Sequence, residues 1–178
     1  MMRAEFMSTS AEETRALGRA MAGFLEPGDT LVLTGDLGAG KTQLTKGIAE
    51  GLGITDEVTS PTFALELVHE GGRLALYHFD LYRLHDADEL GEAGLWDVLG
   101  GDGVCVIEWG EQFADELGEE RVDVFVTRED RVSAGDASLE GEGAEGSEPA
   151  RRIELVSHET RGDAFVAATR AAWAQVGR

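Results

Sequence analysis

The run TLVLTGDLGAGKT, residues 30–42, constrains the fold more than any other part of this chain. A short, continuously apolar segment breaks into glycines and ends in Lys41 and Thr42. The segment TQLTKGIAEGLG then sets Leu44, Ile48 and Leu52 at helical spacing. An apolar run without alternation suits a strand buried on both faces, and such strands belong to sheets covered by helices. Residues 35–42 fit the pattern G-x-x-x-x-G-K-[ST], in which the glycines let successive backbone N–H groups curl inward at the start of a helix. That nest, reinforced by the positive end of the helix, is suited to phosphate. Asp36, Leu37, Gly38, Ala39, Gly40, Lys41 and Thr42 are therefore the candidate nucleotide contacts. Lys41 is expected to reach the β- and γ-phosphates and to touch only ligand and solvent, and the Thr42 hydroxyl to ligate Mg²⁺.

The rest of the composition sharpens this expectation. The 178 residues carry a formal net charge of −20, and Lys41 and Lys46 are the only lysines. Unaided binding to DNA or RNA needs clustered cations that release counterions, and the arginines here are scattered. Any role near RNA is then expected to pass through a more basic partner. No apolar run approaches the roughly 20 residues of a membrane span, and MMRAEFMSTS lacks the apolar stretch of an export signal. A cytoplasmic protein without membrane contact is expected. Cys105, the single cysteine, lies inside the apolar VCVI and reads as a core residue. His69, His78, His85 and His158 show no metal-ligand spacing.

Along the chain, Ser10 and Glu13 form a capping-box pattern ahead of a helix with Leu17, Met21, Phe24 and Leu25 on one stripe. After the glycine loop and its helix come FALELVHEGG and RLALYHFDLYRL, two strand-like segments joined by Gly71 and Gly72 as a hairpin. DADELGEAGLWDVLGG predicts a helix, GVCVIEWG a buried strand ending in Glu108, RVDVFVT and RRIELVS two more strands, and GDAFVAATRAAWAQVG a closing helix. Alternating strands and helices predict an α/β fold built as one domain over residues 1–178. Its expected form is a P-loop NTPase-like three-layer sandwich with a largely parallel central sheet flanked by helices. Residues 129–150, acidic and nearly free of large apolar side chains, read as a disordered surface loop within that domain.

A phosphate loop also needs an acid at a neighbouring strand end to hold or orient magnesium. Glu108 closes VCVIE and Asp80 closes LALYHFD, both at the sheet edge where ligands bind in this architecture. With Lys41 they are the catalytic candidates, and either acid, together with Thr42, is a candidate for the metal. Ser60-Pro61-Thr62-Phe63 is placed as a switch segment would be, although by spacing alone it is only a turn. Two other readings compete: a phosphate-loop kinase acting on a small molecule, and a nucleotide-gated binding module with incidental hydrolysis. The kinase is weakened because Arg83 is the only arginine close to the motifs between Lys41 and Glu108. A GTPase is disfavoured because no guanine-recognition motif is present.

Taken together, GDLGAGKT, SPTF, YHFDLYRL and IEW, in this order and spacing, resemble the TsaE (YjeE) family, from about Ser8 to Thr127 and again near Arg152. The resemblance implies an ATPase that binds and slowly hydrolyses Mg·ATP in a complex with TsaB and TsaD. That complex modifies tRNA with threonylcarbamoyladenosine, so contact with tRNA is only indirect. The resemblance makes Asp80 a catalytic or switch acid and pairs Thr42 with Glu108 on Mg²⁺. It also sets Ser10, Glu111 and Arg152 along the nucleotide site. Family members often carry proline where this chain has Gly110.

Overall fold

The computed structural model describes residues 1–61, 64–129 and 148–176. Among the described residues seven strands form one sheet: β1 (Arg3–Ser8), β2 (Thr30–Thr34), β3 (Glu66–His69), β4 (Leu76–Asp80), β5 (Val104–Glu108), β6 (Arg121–Glu129) and β7 (Ala150–Ser157). Their order is β1-β7-β6-β2-β5-β4-β3. The helices are α1 (Ala11–Ala22), α2 (Lys41–Leu52), α3 (Asp88–Glu92), α4 (Leu95–Val98), α5 (Ala114–Leu117) and α6 (Thr160–Val176), with a 3-10 turn at Gly110–Phe113.

The sheet is mixed rather than largely parallel. β6, β2, β5 and β4 run parallel to one another, whereas β3, β7 and β1 are added antiparallel. The difference follows from how the outer strands are covered. β5 is buried at every position and β2 at all but its last, as strands between two helical layers must be. β1 alternates exposed and buried residues along its whole length, with Ala4, Phe6 and Ser8 turned inward. Such an alternating strand needs one covered face only, and an antiparallel edge supplies it. Residues 3–8 carry this period of two in the sequence, yet the sequence reading gives them no element.

Two apolar layers sandwich the central strands. On one face Leu31, Leu33, Val104 and Val106 pack with Leu17 and Met21 of α1, Leu44 and Ile48 of α2 and Phe165 of α6. On the other, Val32, Cys105 and Ile107 pack with Leu90 of α3, Leu95 of α4 and Leu117 of α5. Where one helix is predicted over residues 86–101, two short ones form, because Gly94 adopts a left-handed φ of 80° between them. The expected hairpin of β3 and β4 is present. The expected loop at 129–150 begins and ends inside the sheet, since Glu129 pairs with Ala150. Residues 130–147 lie outside the described residues.

Close approach of α1 and α2 holds the glycine loop's helix in place. A Cβ on Gly47 would fall onto the backbone carbonyl of Arg15, and Arg19 Nη1 reaches Glu50 Oε2 at 2.8 Å across the same seam. The Glu50 carboxyl is held below its usual range, first by its hydrogen bond from Arg15. Gly47→Ala is expected to lower stability by about 1–3 kcal/mol or more, readable as a lower denaturant midpoint with an unchanged slope. Burial pushes the Cys105 thiol up to about 12. Iodoacetamide at mildly alkaline pH should leave the folded protein unmodified and alkylate it in denaturant.

Candidate functional site

The carboxyl ends of β2, β5 and β4 meet the start of α2 in one cleft of about 390 Å³. Leu33, Glu108 and Asp80 lie in register across the three strands, so both acids emerge side by side. Asp80 is 3% exposed and Glu108 4%. Asp80 Oδ1 accepts the Tyr82 N–H at 2.9 Å, and Glu108 Oε1 lies 2.9 Å from His78 Nε2. Both acids line the cleft together with Leu37, Gly38, Gly40, Lys41 and Thr42.

The glycine loop curls as its sequence requires. Ala39 N–H donates to Asp36 O at 3.0 Å, and Gly40, the N-cap of α2, has φ 118° and offers no side-chain cap. A Cβ there would be strained by the backbone and would meet the Arg151 guanidinium at 2.9 Å. The first N–H groups of α2 thus carry no capping side chain, and an anion can take that role.

Lys41 departs from expectation in one respect: it touches more than ligand and solvent. It is 5% exposed, and its Nζ donates to Gly35 O at 2.5 Å and Asp36 O at 3.2 Å. It also lies 4.9 Å from the ring centre of Trp109. Trp109 takes a left-handed φ of 59° directly after Glu108 and packs against Tyr82, ring centres 5.1 Å apart. The lysine is folded back over the mouth of its own loop, held by carbonyl dipoles and an aromatic face.

Other expected residues lie apart from the cleft lining. Ser10 caps α1, its Oγ accepting the Glu13 N–H at 3.1 Å, and it is the adjacent Ala11 that lines the cleft. The capping box is shifted by one residue. Glu13 Oε2 accepts the Thr9 N–H at 2.6 Å rather than that of Ser10, a bond that lowers the Glu13 carboxyl below its usual range. Glu111 accepts from Thr34 Oγ1 at 3.3 Å, outside the cleft lining. Asp36 contributes its carbonyl, and the Leu37 side chain is 92% exposed at the cleft. Arg152 is half-exposed and pairs with Glu129 at 3.1 Å on the opposite sheet face.

Arg151 occupies the cleft instead. Its Nε donates to Ala39 O at 3.1 Å and its Nη1 to Pro149 O at 3.3 Å, with Glu148 Oε2 3.7 Å away. Glu148 also accepts the Ala11 N–H at the start of α1. Sequence reasoning missed Arg151, Glu148, Gln43 and the burial of His78. For Arg151 a signal existed: Ile153 and Leu155 face the core, and a period of two puts residue 151 on their side and 152 on the other. Of the proposed switch segment, Ser60 lines the cleft, while Thr62 and Phe63 lie outside the described residues.

This arrangement defines an α/β protein with a mixed seven-stranded sheet and a glycine-loop cleft at its parallel centre. The sequence model of "Threonylcarbamoyl adenosine biosynthesis protein TsaE" matches residues 8–134. The TsaE of Bacillus subtilis is 44% identical over 128 residues, 72% of this chain and 80% of the relative. That of Treponema pallidum is 48% identical over 118 residues, 66% and 87% of the two chains. A crystal structure of Bacillus subtilis YdiB superposes with a TM-score of 0.74 at 34% identity, covering 96% of this chain and 95% of that one. The chain belongs to the TsaE family of tRNA threonylcarbamoyladenosine biosynthesis. Among the described residues no helix is long and apolar enough to cross a membrane.

The two adjacent arginines provide a test of the site's edge. Arg151→Ala removes a buried guanidinium from a loop carbonyl and should cost about 1–3 kcal/mol. Arg152→Ala removes surface pairs and should cost about 0–1 kcal/mol. Parallel urea titrations of the two variants measure the difference.

Proposed function

We propose that this chain binds and hydrolyses Mg·ATP as an accessory component of a TsaB–TsaD complex that modifies tRNA. In this reading it acts in the cytoplasm and meets tRNA only through its partners. The observation that carries the nucleotide reading is the convergence of Lys41, Thr42, Asp80 and Glu108 on one cleft at the start of α2. Family membership supports the pathway, and with it the two partners.

The donor set fits a hard divalent cation. Two carboxylates and a hydroxyl, all oxygen, meet where phosphates would rest, and magnesium is commonly held by one or two carboxylates plus phosphate oxygens. Thr42 and Glu108 would hold it, and the ion would neutralise charge developing on the transferred phosphoryl group. The loop N–H groups from Gly38 to Thr42 receive the phosphates. Lys41, already poised by the Gly35 and Asp36 carbonyls, exchanges those partners for phosphate oxygens. Asp80, whose Oδ1 is fixed by the Tyr82 amide, is left to orient the attacking water with its other oxygen. Arg151 keeps Ala39, and so the loop, in its curled form. An acidic protein can bind an acidic ligand here because backbone dipoles, one lysine and a cation act within a few ångströms, whereas distant surface charges are screened.

Three substitutions separate these roles. Lys41→Ala should lower hydrolysis by about 10²-fold or more; a melting curve is needed beside it, since Lys41 also ties the loop together. Glu108→Ala should weaken nucleotide binding in magnesium much more than in EDTA. Asp80→Ala should retain Mg·ATP affinity and lose about 10²–10⁴ in single-turnover rate with TsaB and TsaD present. If instead Asp80→Ala loses magnesium dependence and Glu108→Ala fails only in turnover, the two acids exchange assignments. Normal hydrolysis by a folded Lys41→Ala protein would sink the ATPase reading.

A further inference from the structure

His78 is fully buried on β4, two residues before Asp80 and therefore on the same strand face. Its Nε2 lies 2.9 Å from Glu108 Oε1, while its Nδ1 is buried with no hydrogen-bond partner among the described residues. Glu108 lines the cleft and His78 does not. An imidazole in the sheet interior, opposite Val106 and Leu67 and within electrostatic reach of the buried His69, is costly where valine or isoleucine would pack, so the position calls for a reason beyond packing.

The register supplies the geometry. His78 stands opposite Val106 and Asp80 opposite Glu108, so Glu108 is the diagonal neighbour of His78 on a shared face. The hydrogen-bond pattern then assigns the tautomer. A proton on Nδ1 would bury an unmatched N–H, whereas a proton on Nε2 is donated to the carboxylate and leaves only an unmatched lone pair. A donor at this place fixes the direction in which the Glu108 carboxyl faces. An arginine or lysine there would pair with the acid and compete with any cation.

We propose that His78 is a positioning residue for Glu108, its Nε2–H fixing Oε1 so that Oε2 remains available to a divalent cation. The inference rests on the magnesium site proposed above and adds the buried residue that organises it. Groups of this kind set ligand orientation and basicity, and their loss typically costs about 10–100-fold in metal affinity.

The test titrates N-methylanthraniloyl-ATP into the full chain at graded MgCl₂ and again in EDTA. His78→Asn, whose shorter amide falls short of Glu108, should raise the half-saturating magnesium concentration about 10–100-fold, with affinity in EDTA changed less than about twofold. His78→Gln keeps an N–H donor near the Nε2 position and should return to within about threefold of wild type. On a Glu108→Gln background the Asn substitution should have no further effect on magnesium, because the coupled partner is gone. Should His78→Asn fail to fold, His78→Leu, closer to the ring in volume, takes its place. A folded Asn or Leu variant with the wild-type magnesium requirement overturns the inference, as does an equal loss of affinity with and without metal. A wild-type chain that binds the analogue without any magnesium dependence overturns the metal site itself, and this inference with it.

Discussion

The parallel pairing of β4, β5 and β2 is the constraint on which the rest of the site depends. It puts Leu33, Glu108 and Asp80 in one row, and neighbouring strands are only about 4.8 Å apart. Two carboxyl groups are thereby set side by side in a buried row. Each is partly satisfied by its neighbours, Asp80 by the Tyr82 amide just beyond the strand end and Glu108 by His78 within the sheet. Both acids face the cleft, opposite the start of α2. A one-residue slip of β4 against β5 would turn Asp80 toward the Phe79 layer and dissolve the pair.

The glycine loop answers this charge from the other side. Its curl depends on Gly40 at a left-handed φ and on Arg151, which reaches from β7 to the Ala39 carbonyl. Lys41 is held in readiness by two carbonyls of the same loop and by the face of Trp109. These are charge-assisted contacts to neutral carbonyls, which the proposed phosphate would replace with fully charged oxygens. The seam between α1 and α2 keeps the helix start at a fixed height above the sheet, because Gly47 leaves no room for a side chain against Arg15. Rigidity at that seam and a lysine bonded only within its own loop are what the proposed phosphate-binding site would require.

Much of this was legible in the amino-acid sequence because local chemistry specifies it. The continuous apolar runs of β2 and β5 and the glycine pattern of residues 35–42 follow from the backbone requirements of buried strands and tight loops, and the acids closing β4 and β5 stand out by their place at the strand ends. Combined spacing of the four motifs also pointed to the family that the chain belongs to. The inward side of β7 is legible too, through Ile153 and Leu155, which share their face with Arg151, whereas the resemblance points to Arg152.

Tertiary structure alone decided what joins residues distant in sequence. Nothing in the order of residues says that His78 touches Glu108, because that contact exists only once two strands choose a register. Likewise the antiparallel outer strands, which make the sheet mixed, depend on which faces the helices leave uncovered, a property of the packed whole. Lys41 reads as a free cation in a list of residues and becomes a bonded one only when the loop closes over it. Periodicity and backbone chemistry act within a few residues and can be read along the chain; register, burial and charge neighbours arise between segments, and only folding brings those segments together.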